Sequence, residues 1–197
     1  MKKLLLCGCI GLMVLCMTGC LKRDNLEDIT IYTTVYPFEY ITEQLYGEHS
    51  TIKSIYPDGS NPTTYKLTDK QIKDYSKSSL FIFNGLSNEK EYVSPMLNYN
   101  KNMKIIDPTL TMEYNNNMEE LCLDPSNFLM LAQNINNGLL EYINNHYLKT
   151  NIQENYDALK IEVSNLDAKL KLLSESSNNP TIVVSNDLFK FLEKYNI

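Results

Sequence analysis

Short strand patterns alternate with helix patterns along this chain from residue 29 onwards, and this alternation constrains the fold more than any other feature. The run Leu-Phe-Ile-Phe at 80–83 is continuously apolar, which is typical of a strand buried on both faces of a parallel sheet. The strand patterns lie at residues 29–34, 51–56, 80–83, 104–106 and 181–184. Since helix patterns separate most of them, we predict an α/β lobe with an open parallel sheet and helices on both faces.

Local signals place the ends of several helices. A helix after the first strand is expected to end at Gly47, because glycine readily adopts the left-handed backbone that closes many helices. Thr68 and Gln71 form a capping box, in which each side chain binds a backbone amide at the start of a helix. Asp124 is suited to cap a later helix with Pro125 at its first position, where the missing N–H costs nothing.

A long helix is predicted at residues 151–176. Its apolar side chains recur at alternating spacings of three and four, and they are Tyr156, Leu159, Val163, Leu166, Leu170 and Leu173. Coiled-coil dimers carry such stripes over at least three to four heptads. This stripe is shorter, so a helix packed across the domain is favoured over a dimer. A final helix pattern covers residues 187–195.

The first 20 residues form a pattern typical of a secretory signal. Lys2 and Lys3 precede an apolar stretch that ends near Met17 and is shorter than the roughly 20 residues needed to span a bilayer. The ending Met-Thr-Gly-Cys resembles the bacterial lipobox, whose cysteine is acylated. We therefore expect a lipid on Cys20 that anchors the chain to the extracytoplasmic face of a bacterial cell membrane. An ordinary cleaved signal and an uncleaved anchor are the alternatives.

Residues 21–28 are polar and are expected to be a tether between the lipid and the folded domain. Three of the five cysteines leave with the signal, and acylation of Cys20 leaves Cys122 as a free thiol without a disulfide partner. We interpret Cys122 as a small core residue rather than a nucleophile, because no histidine lies near it in the sequence.

The charge balance argues against nucleic acid as a partner. Asp and Glu number 24 against 18 Lys and Arg, and loss of Lys2 and Lys3 with the signal makes the mature chain more acidic. Nucleic-acid binding relies on clustered basic residues. The same balance argues against a polybasic contact with the membrane surface.

Five segments resemble a known family when they are taken together in this order. They are Val-Tyr-Pro (35–37), Tyr-Pro-Asp-Gly-Ser-Asn-Pro-Thr-Thr-Tyr (56–65), Leu-Phe-Ile-Phe-Asn-Gly (80–85), Leu-Asp-Pro (123–125) and Val-Val-Ser-Asn-Asp (183–187). From about residue 29 onwards, the chain resembles the metal-binding solute-receptor lipoproteins of bacterial zinc and manganese ABC transporters. The resemblance implies two α/β lobes joined by a long helix, with the metal in the cleft between the lobes.

The resemblance also implies domain boundaries and partners. Residues 29–147 would be the first lobe, 151–176 the linking helix, and 181–197 only the start of a second lobe. The protein would be a monomer that delivers an ion to an ABC permease in the same membrane. The matching loops follow predicted strands, where open α/β sheets bind their ligands.

The family's metal ligands are replaced in this sequence. The resemblance implies three histidines, and their positions fall on Thr63, Glu120 and Asn186. The fourth ligand would lie beyond residue 197. A hydroxyl, one carboxylate and an amide oxygen suit at best a hard divalent cation, bound weakly. We therefore expect a truncated, degenerate family member with at most a weak site for a divalent cation.

The histidines and the remaining acidic residues offer no alternative site. His49 follows the predicted end of a helix and His146 lies at another helix end, so both are interpreted as solvated or helix-terminal residues. Glu113, Glu119 and Glu120 are interpreted as a solvated acidic loop. No Gly-x-Ser-x-Gly, phosphate loop or His-Glu-x-x-His motif occurs, so an enzyme is not expected.

The alternative function is a surface interaction or adhesion module that uses the lobe as a scaffold. It should show as an exposed apolar patch. A parallel strand at 181–184 would stand alone without a sheet. We therefore expect residues 178–197 to be poorly ordered or irregularly docked.

Overall fold

The lobe is built around a parallel sheet of four short strands. The computed structural model describes residues 23–112, 118–177 and 181–197. The strands are β1 (Thr30–Thr33), β2 (Thr51–Ser54), β3 (Leu80–Ile82) and β4 (Lys104–Ile106). They lie side by side in the order β2-β1-β3-β4, and every neighbouring pair is parallel. The predicted α/β fold is confirmed.

Helices follow each strand and connect it to the next element. They are α1 (Tyr36–Tyr46), α2 (Asp69–Tyr75), α3 (Lys90–Tyr99), α4 (Met118–Leu123), α5 (Pro125–Tyr142), α6 (His146–Ser176) and a 3₁₀ helix (Asp187–Tyr195). Both sides of the Thr68–Gln71 capping box form, and Asp124 caps α5 through the Ser126 amide. Gly47 follows α1 as predicted, but its φ of −62° is right-handed, so the left-handed closing motif is not used.

Helices α3 and α4 lack a clear signal in the sequence. Pro95 lies inside α3, where proline removes a backbone donor and disfavours a helix. Burial of Met96 holds the helix on the sheet in spite of it. Helix α4 has only six residues, too short for an apolar period to stand out.

The core lies on both faces of the sheet. On one face, β-strand residues such as Ile31 and Leu80 pack against α1, α5 and α6. On the other face, Phe81 packs with residues of α2 and α3, among them Ile72 and Met96. This alternation along the strands confirms the prediction of helices on both faces.

Residues 23–28 extend the folded body rather than forming a free tether. The Leu26 side chain is only 2% exposed and joins the main core. The Asp24 carboxylate is 9% exposed and accepts hydrogen bonds from backbone amides between α5 and α6. The predicted signal sequence and Cys20 lie outside the described residues.

The last part of the chain differs from the sequence prediction. Residues 181–184 form no strand, because no sheet lies beside them, and the side chain of Val183 is 97% exposed. Residues 187–195 form a 3₁₀ helix rather than an α-helix, lying against α4 and α6. Within the described part of the chain, no helix has the length and apolar character to cross a membrane.

Candidate functional site

The carboxyl ends of the four strands gather polar side chains at one edge of the sheet. Thr34 directly follows β1, Asp107 directly follows β4, and Asn84 is the second residue after β3. Because the strands are parallel, these loops meet at the same edge, which we call the carboxyl edge. Thr34 and Asn84 are almost fully buried, so this edge has a polar interior rather than a merely solvated rim.

A buried glutamate organises the centre of the carboxyl edge. Glu89 lies directly before α3 and is 5% exposed, and its Oε2 accepts the Asn84 backbone N–H at 3.0 Å. The Thr34 hydroxyl lies close to the Glu89 carboxylate without the geometry of a full hydrogen bond. Burial raises the pKa of Glu89, while the Thr34 hydroxyl and the Asn84 amide partly oppose the shift. The site therefore holds a carboxyl group that takes up a proton more readily than a surface glutamate.

Cys122, which is part of α4, lies near the Glu89 carboxylate. Burial raises the pKa of the Cys122 thiol to about 11, and the charge of Glu89 adds to the shift. The thiol therefore stays protonated at neutral pH and is not an activated nucleophile. It packs against the main core, in line with its interpretation as a small core residue.

Asp107 ties the loop after β3 to the loop after β4. Its Oδ1 accepts the Gly85 N–H at 3.1 Å, the Thr109 N–H at 2.9 Å and the Thr109 hydroxyl at 2.6 Å. A Cβ on Gly85 would lie 1.9 Å from Asp107 Oδ2, so only glycine allows this close approach. The two loops are thus held in one fixed arrangement.

A third carboxylate, Glu39 of α1, closes the carboxyl edge at β2. Its Oε1 accepts the Ser54 N–H at 3.2 Å. Burial raises the pKa of Glu39, the Ser54 amide lowers it, and nearby Glu43 and Asp58 raise it further. Glu39, Glu89 and Asp107 therefore each hold a loop of the carboxyl edge in place by accepting a hydrogen bond from a backbone N–H.

Thr63 and Asn186 have oxygens that already serve local turns. The Thr63 hydroxyl donates to Asn61 Oδ1 at 2.7 Å in the exposed loop after β2. Asn186 Oδ1 accepts the Leu188 N–H at 3.1 Å and caps the 3₁₀ helix. The backbone of Glu120 lies in α4, and its side chain is outside the described residues. Among the described side chains, no three His, Cys, Asp or Glu are placed to hold a metal ion together.

Neither histidine lies in the loops of the carboxyl edge. His49 directly precedes Ser50 and β2, at the opposite edge of the sheet, and its Nε2 bonds Asn151 Oδ1 of α6 at 2.8 Å. His146 is exposed at the first position of α6. The placement of His146 agrees with its interpretation as a helix-terminal residue, whereas His49 is half-buried and hydrogen-bonded to Asn151.

Comparison with known proteins identifies the family. The model of the ZnuA family, described as zinc-uptake complex component A, periplasmic, matches residues 31–197. The chain belongs to this family. A relative in Streptococcus mutans, the metal ABC transporter substrate-binding lipoprotein SloC, is 26% identical over 212 aligned residues. That alignment covers 98% of this chain and 69% of SloC.

Solved structures share the fold of this ZnuA-family chain. The metal-dependent lipoprotein YcdH of Bacillus subtilis matches with a TM-score of 0.73 at 15% identity, over 86% of this chain and 65% of YcdH. Zn(II)-bound AdcA of Streptococcus pneumoniae matches with a TM-score of 0.71 at 20% identity, over 86% of this chain and 38% of AdcA. At these identities the likeness shows the fold, and the chain spans about two thirds of YcdH and SloC.

The family match spans the three positions that were proposed from the sequence as replaced metal ligands. The ZnuA-family match includes Thr63, Glu120 and Asn186. The members of this family are solute-binding proteins and not enzymes, which confirms the expectation from the sequence. Glu89 and Asp107 were not predicted as site residues. Asp107 directly follows a buried strand, where polar residues often belong to a site, whereas Glu89 lies seven residues after β3 and has no comparable sequence signal.

Proposed function

We propose that this chain is an extracytoplasmic solute-binding lipoprotein for a zinc- or manganese-type ABC transporter. The observation that carries the proposal is the family match over residues 31–197, on a parallel lobe whose carboxyl edge is polar. Residues 29–147 would be the first lobe, 151–176 the linking helix, and 181–197 the start of a second lobe. The cargo would be a divalent metal ion, and the partner an ABC permease in the same membrane.

The lipid on Cys20 belongs to the same proposal. SloC, the relative aligned over nearly the whole chain, is by name a lipoprotein of this transporter class. A lipid on Cys20 would keep the receptor beside its permease, so that a bound ion would not have to be delivered through bulk solution. Loss of membrane association in a Cys20→Ser chain, measured by flotation with vesicles, is the expected result.

Metal binding by the residues present is proposed to be weak. The oxygens of Thr63 and Asn186 would have to leave hydrogen bonds that hold the Asn61 turn and the start of the 3₁₀ helix. Both are neutral, so neither offers the charge or softness of a strong zinc ligand. The site then depends on the carboxylate of Glu120 and on any further ligand.

Isothermal titration of the mature chain with zinc, manganese and calcium tests this. The Cys20→Ser variant without its signal provides soluble protein. We expect dissociation constants no tighter than about 10⁻⁴ M, the range of weak oxygen-ligand sites. Sub-micromolar zinc binding would show that the interpretation of these positions is wrong.

Restoring histidines tests whether the three positions share one site. In the triple variant Thr63→His, Glu120→His and Asn186→His, three imidazoles would converge on one ion if the family arrangement is retained. Zinc affinity should then rise by at least about 100-fold, since imidazole is a far better zinc ligand than a hydroxyl or amide.

A matched variant carries three histidines at exposed positions close to those in sequence. Lys66, Met130 and Lys190 are exposed and serve this purpose. Zinc affinity in this control should stay near that of the parent chain. Equal gains in both variants would show that the three family positions do not form a site.

A second candidate function is a surface interaction module, and one observation favours it. Large apolar side chains are exposed on the far end of α6 and just after it: Leu166, Leu172, Leu173, Ile182, Val183 and Phe189. Exposed apolar side chains that join into one patch are typical of interaction sites. Analytical ultracentrifugation of the purified chain separates the two candidates, since a monodisperse monomer supports the solute-binding protein and counts against the module.

A further inference from the structure

The chain segment closest to the proposed lipid is docked on the lobe. Asp24 Oδ2 accepts the backbone N–H groups of Asn144 at 2.7 Å and Asn145 at 3.0 Å, and Oδ1 accepts the Leu26 N–H at 3.2 Å. A carboxylate that accepts several backbone amides is held firmly, because charge-assisted hydrogen bonds are stronger than neutral ones. We call residues 24–28 the docked segment.

The docked segment also binds the beginning of β2. The Asp28 N–H donates to the His49 carbonyl at 2.8 Å, and the Ser50 hydroxyl donates to the Leu26 carbonyl at 2.7 Å. His49 and Ser50 directly precede the first residue of β2. The docked segment therefore lies at the amino ends of the strands, which we call the amino edge, opposite to the carboxyl edge.

Little chain remains between Cys20 and the docked segment. From Cys20 to Asp24 there are only four Cα–Cα steps, which span at most about 14 Å when fully extended. If the docked segment came free up to Thr30, ten steps would span about 35 Å. Docking thus more than halves the distance that the lobe can move away from the lipid.

We propose that the docked segment holds the amino edge of the lobe against the lipid surface and turns the carboxyl edge away from it. The inference rests on the lipid anchor at Cys20 that is proposed above. The short reach from the lipid and the two amides that hold Asp24 set the orientation. Undocking of residues 24–28 would be needed for the carboxyl edge to approach the membrane.

The proposed orientation does not require charge attraction to the lipid, because charges of both signs lie at the amino edge. The amino edge carries exposed Lys101 and exposed Glu48, and Arg23 forms an ion pair with Asp28 at 2.8 Å. A polybasic patch would be needed for electrostatic binding to anionic lipids. The orientation should therefore be the same at low and high salt.

Energy transfer to the membrane measures the orientation. The full lipidated chain is placed in vesicles of phosphatidylcholine and phosphatidylglycerol with an acceptor dye on the headgroups. A donor dye is attached to Lys101→Cys at the amino edge or to Asp58→Cys in the loop after β2, each combined with Cys122→Ser. Residue 58 lies at least a strand length, about 13 Å, farther from the amino edge. Transfer should be clearly higher from residue 101 than from residue 58.

Two variants show whether the docked segment causes the difference. Asp24→Ala removes the acceptor of the Asn144 and Asn145 amides. An insertion of about twelve Gly and Ser residues between Leu21 and Lys22 leaves the docked segment intact but gives the tether a flexible reach. Both should bring the two transfer values together, and the insertion does so without altering any residue of the fold.

The possible outcomes test the orientation and the lipid anchor separately. Equal transfer from residues 101 and 58 in a chain that floats with the vesicles would overturn the orientation. A difference that survives the insertion would also overturn it, because some other contact would then orient the lobe. Failure of the parent chain to float, with the same result for Cys20→Ser, would instead overturn the proposed lipid anchor.

Discussion

The two halves of helix α6 have the same apolar spacing but opposite environments. In the first half, Leu148, Ile152, Tyr156, Leu159 and Val163 are buried against α1 and α5. In the second half, Leu166, Leu172 and Leu173 are exposed. The periodic stripe in the sequence continues from one half into the other. An apolar period therefore predicts a helix, whereas its burial depends on whether another element covers it.

The same contrast separates the four strands of the sheet from residues 181–184. Both sequences are rich in β-branched and apolar residues. Strands β1 to β4 each lie beside another strand of the sheet, whereas residues 181–184 do not form a strand. A strand is a property of a pair of chain segments, since its backbone groups must be satisfied across the ladder.

The largest effect should distinguish two leucines of α6. Leu159→Ala removes a side chain that is almost fully buried, and we expect the free energy of unfolding to fall by about 3 kcal/mol. Leu173→Ala, the same change on the exposed half, should alter it by no more than about 0.5 kcal/mol. Urea unfolding followed by circular dichroism measures both. Equal losses would mean that the second half of α6 is covered in solution.

A smaller effect should come from the closest approach of a helix to the sheet. A Cβ on Gly138 of α5 would lie 2.6 Å from Ile106 Cγ1, inside the core. Overpacking costs about 1–3 kcal/mol, while replacing glycine in a helix gains about 1 kcal/mol. Gly138→Ala should therefore destabilise the lobe by about 1 kcal/mol in the same urea experiment.

The double variant Gly138→Ala with Ile106→Ala serves as the control for this overlap. Removal of the Ile106 side chain makes room for the new methyl group. The cost of the Gly138 change should vanish or reverse in that background, as a coupling between neighbours requires. If Gly138→Ala still lowers the free energy of unfolding in this background, the strain does not come from contact with Ile106.

The buried carboxyl group of Glu89 should give the lobe a pH dependence of predictable sign. Burial raises its folded-state pKa above the ordinary value of 4.5. The folded protein therefore binds the proton more tightly than the unfolded chain does. The contribution of Glu89 is unfavourable above the folded-state pKa, and this penalty disappears as the pH falls through that pKa towards 4.5.

Glu89→Gln removes the titration and keeps an acceptor for the Asn84 amide. We expect the stability of the parent chain, relative to this variant, to rise as the pH is lowered from about 7 towards the ordinary glutamate range. Urea midpoints at several pH values give the difference. A relative stability that is constant or falls with decreasing pH would contradict the raised pKa.

The smallest effect should be local to the 3₁₀ helix. The Tyr195 hydroxyl donates to Asp167 Oδ1 of α6 at 2.5 Å, and Lys194 forms an ion pair with Asp124. Tyr195→Phe should weaken the docking of residues 187–197 by about 1 kcal/mol, seen as faster amide exchange there, with global stability almost unchanged. Tyr147→Phe at an exposed position of α6 is the matched control. Unchanged exchange after Tyr195→Phe would mean that the bond to Asp167 does not help to hold the 3₁₀ helix.

The sequence predicts the lobe well because its signals are local. Strands β1 to β4 and the caps at Thr68 and Asp124 depend on residues within a few positions of each other. Helix α3 escapes prediction because Pro95 opposes it locally and packing of Met96 on the sheet overrides that preference. The strand pattern at 181–184 does not form a strand, which fits the expectation from the sequence that a strand there would stand alone without a sheet.

The sequence predicts where the carboxyl edge lies, but it does not predict the hydrogen bonds between the loops there. Strand order and the polar loops after each strand indicate where a ligand would bind. The roles of Glu89 and Asp107 depend on distances between separate loops, such as the bond from Gly85 to Asp107, which no spacing in the sequence reveals. The proposed ligand positions at Thr63 and Asn186 show the same limit, since both oxygens serve turns of their own.

The bonds from Asp24 to Asn144 and Asn145 join residues about 120 positions apart in the chain. If the chain is exported amino end first, as the proposed signal implies, Asp24 reaches the far side of the membrane long before Asn144 and Asn145. In that case the docked segment would bind the lobe only after nearly all of the lobe has crossed, and until then the Leu26 side chain would stay exposed. The docked segment would thus be exported before the rest of the lobe but would be among the last parts to take up its folded position.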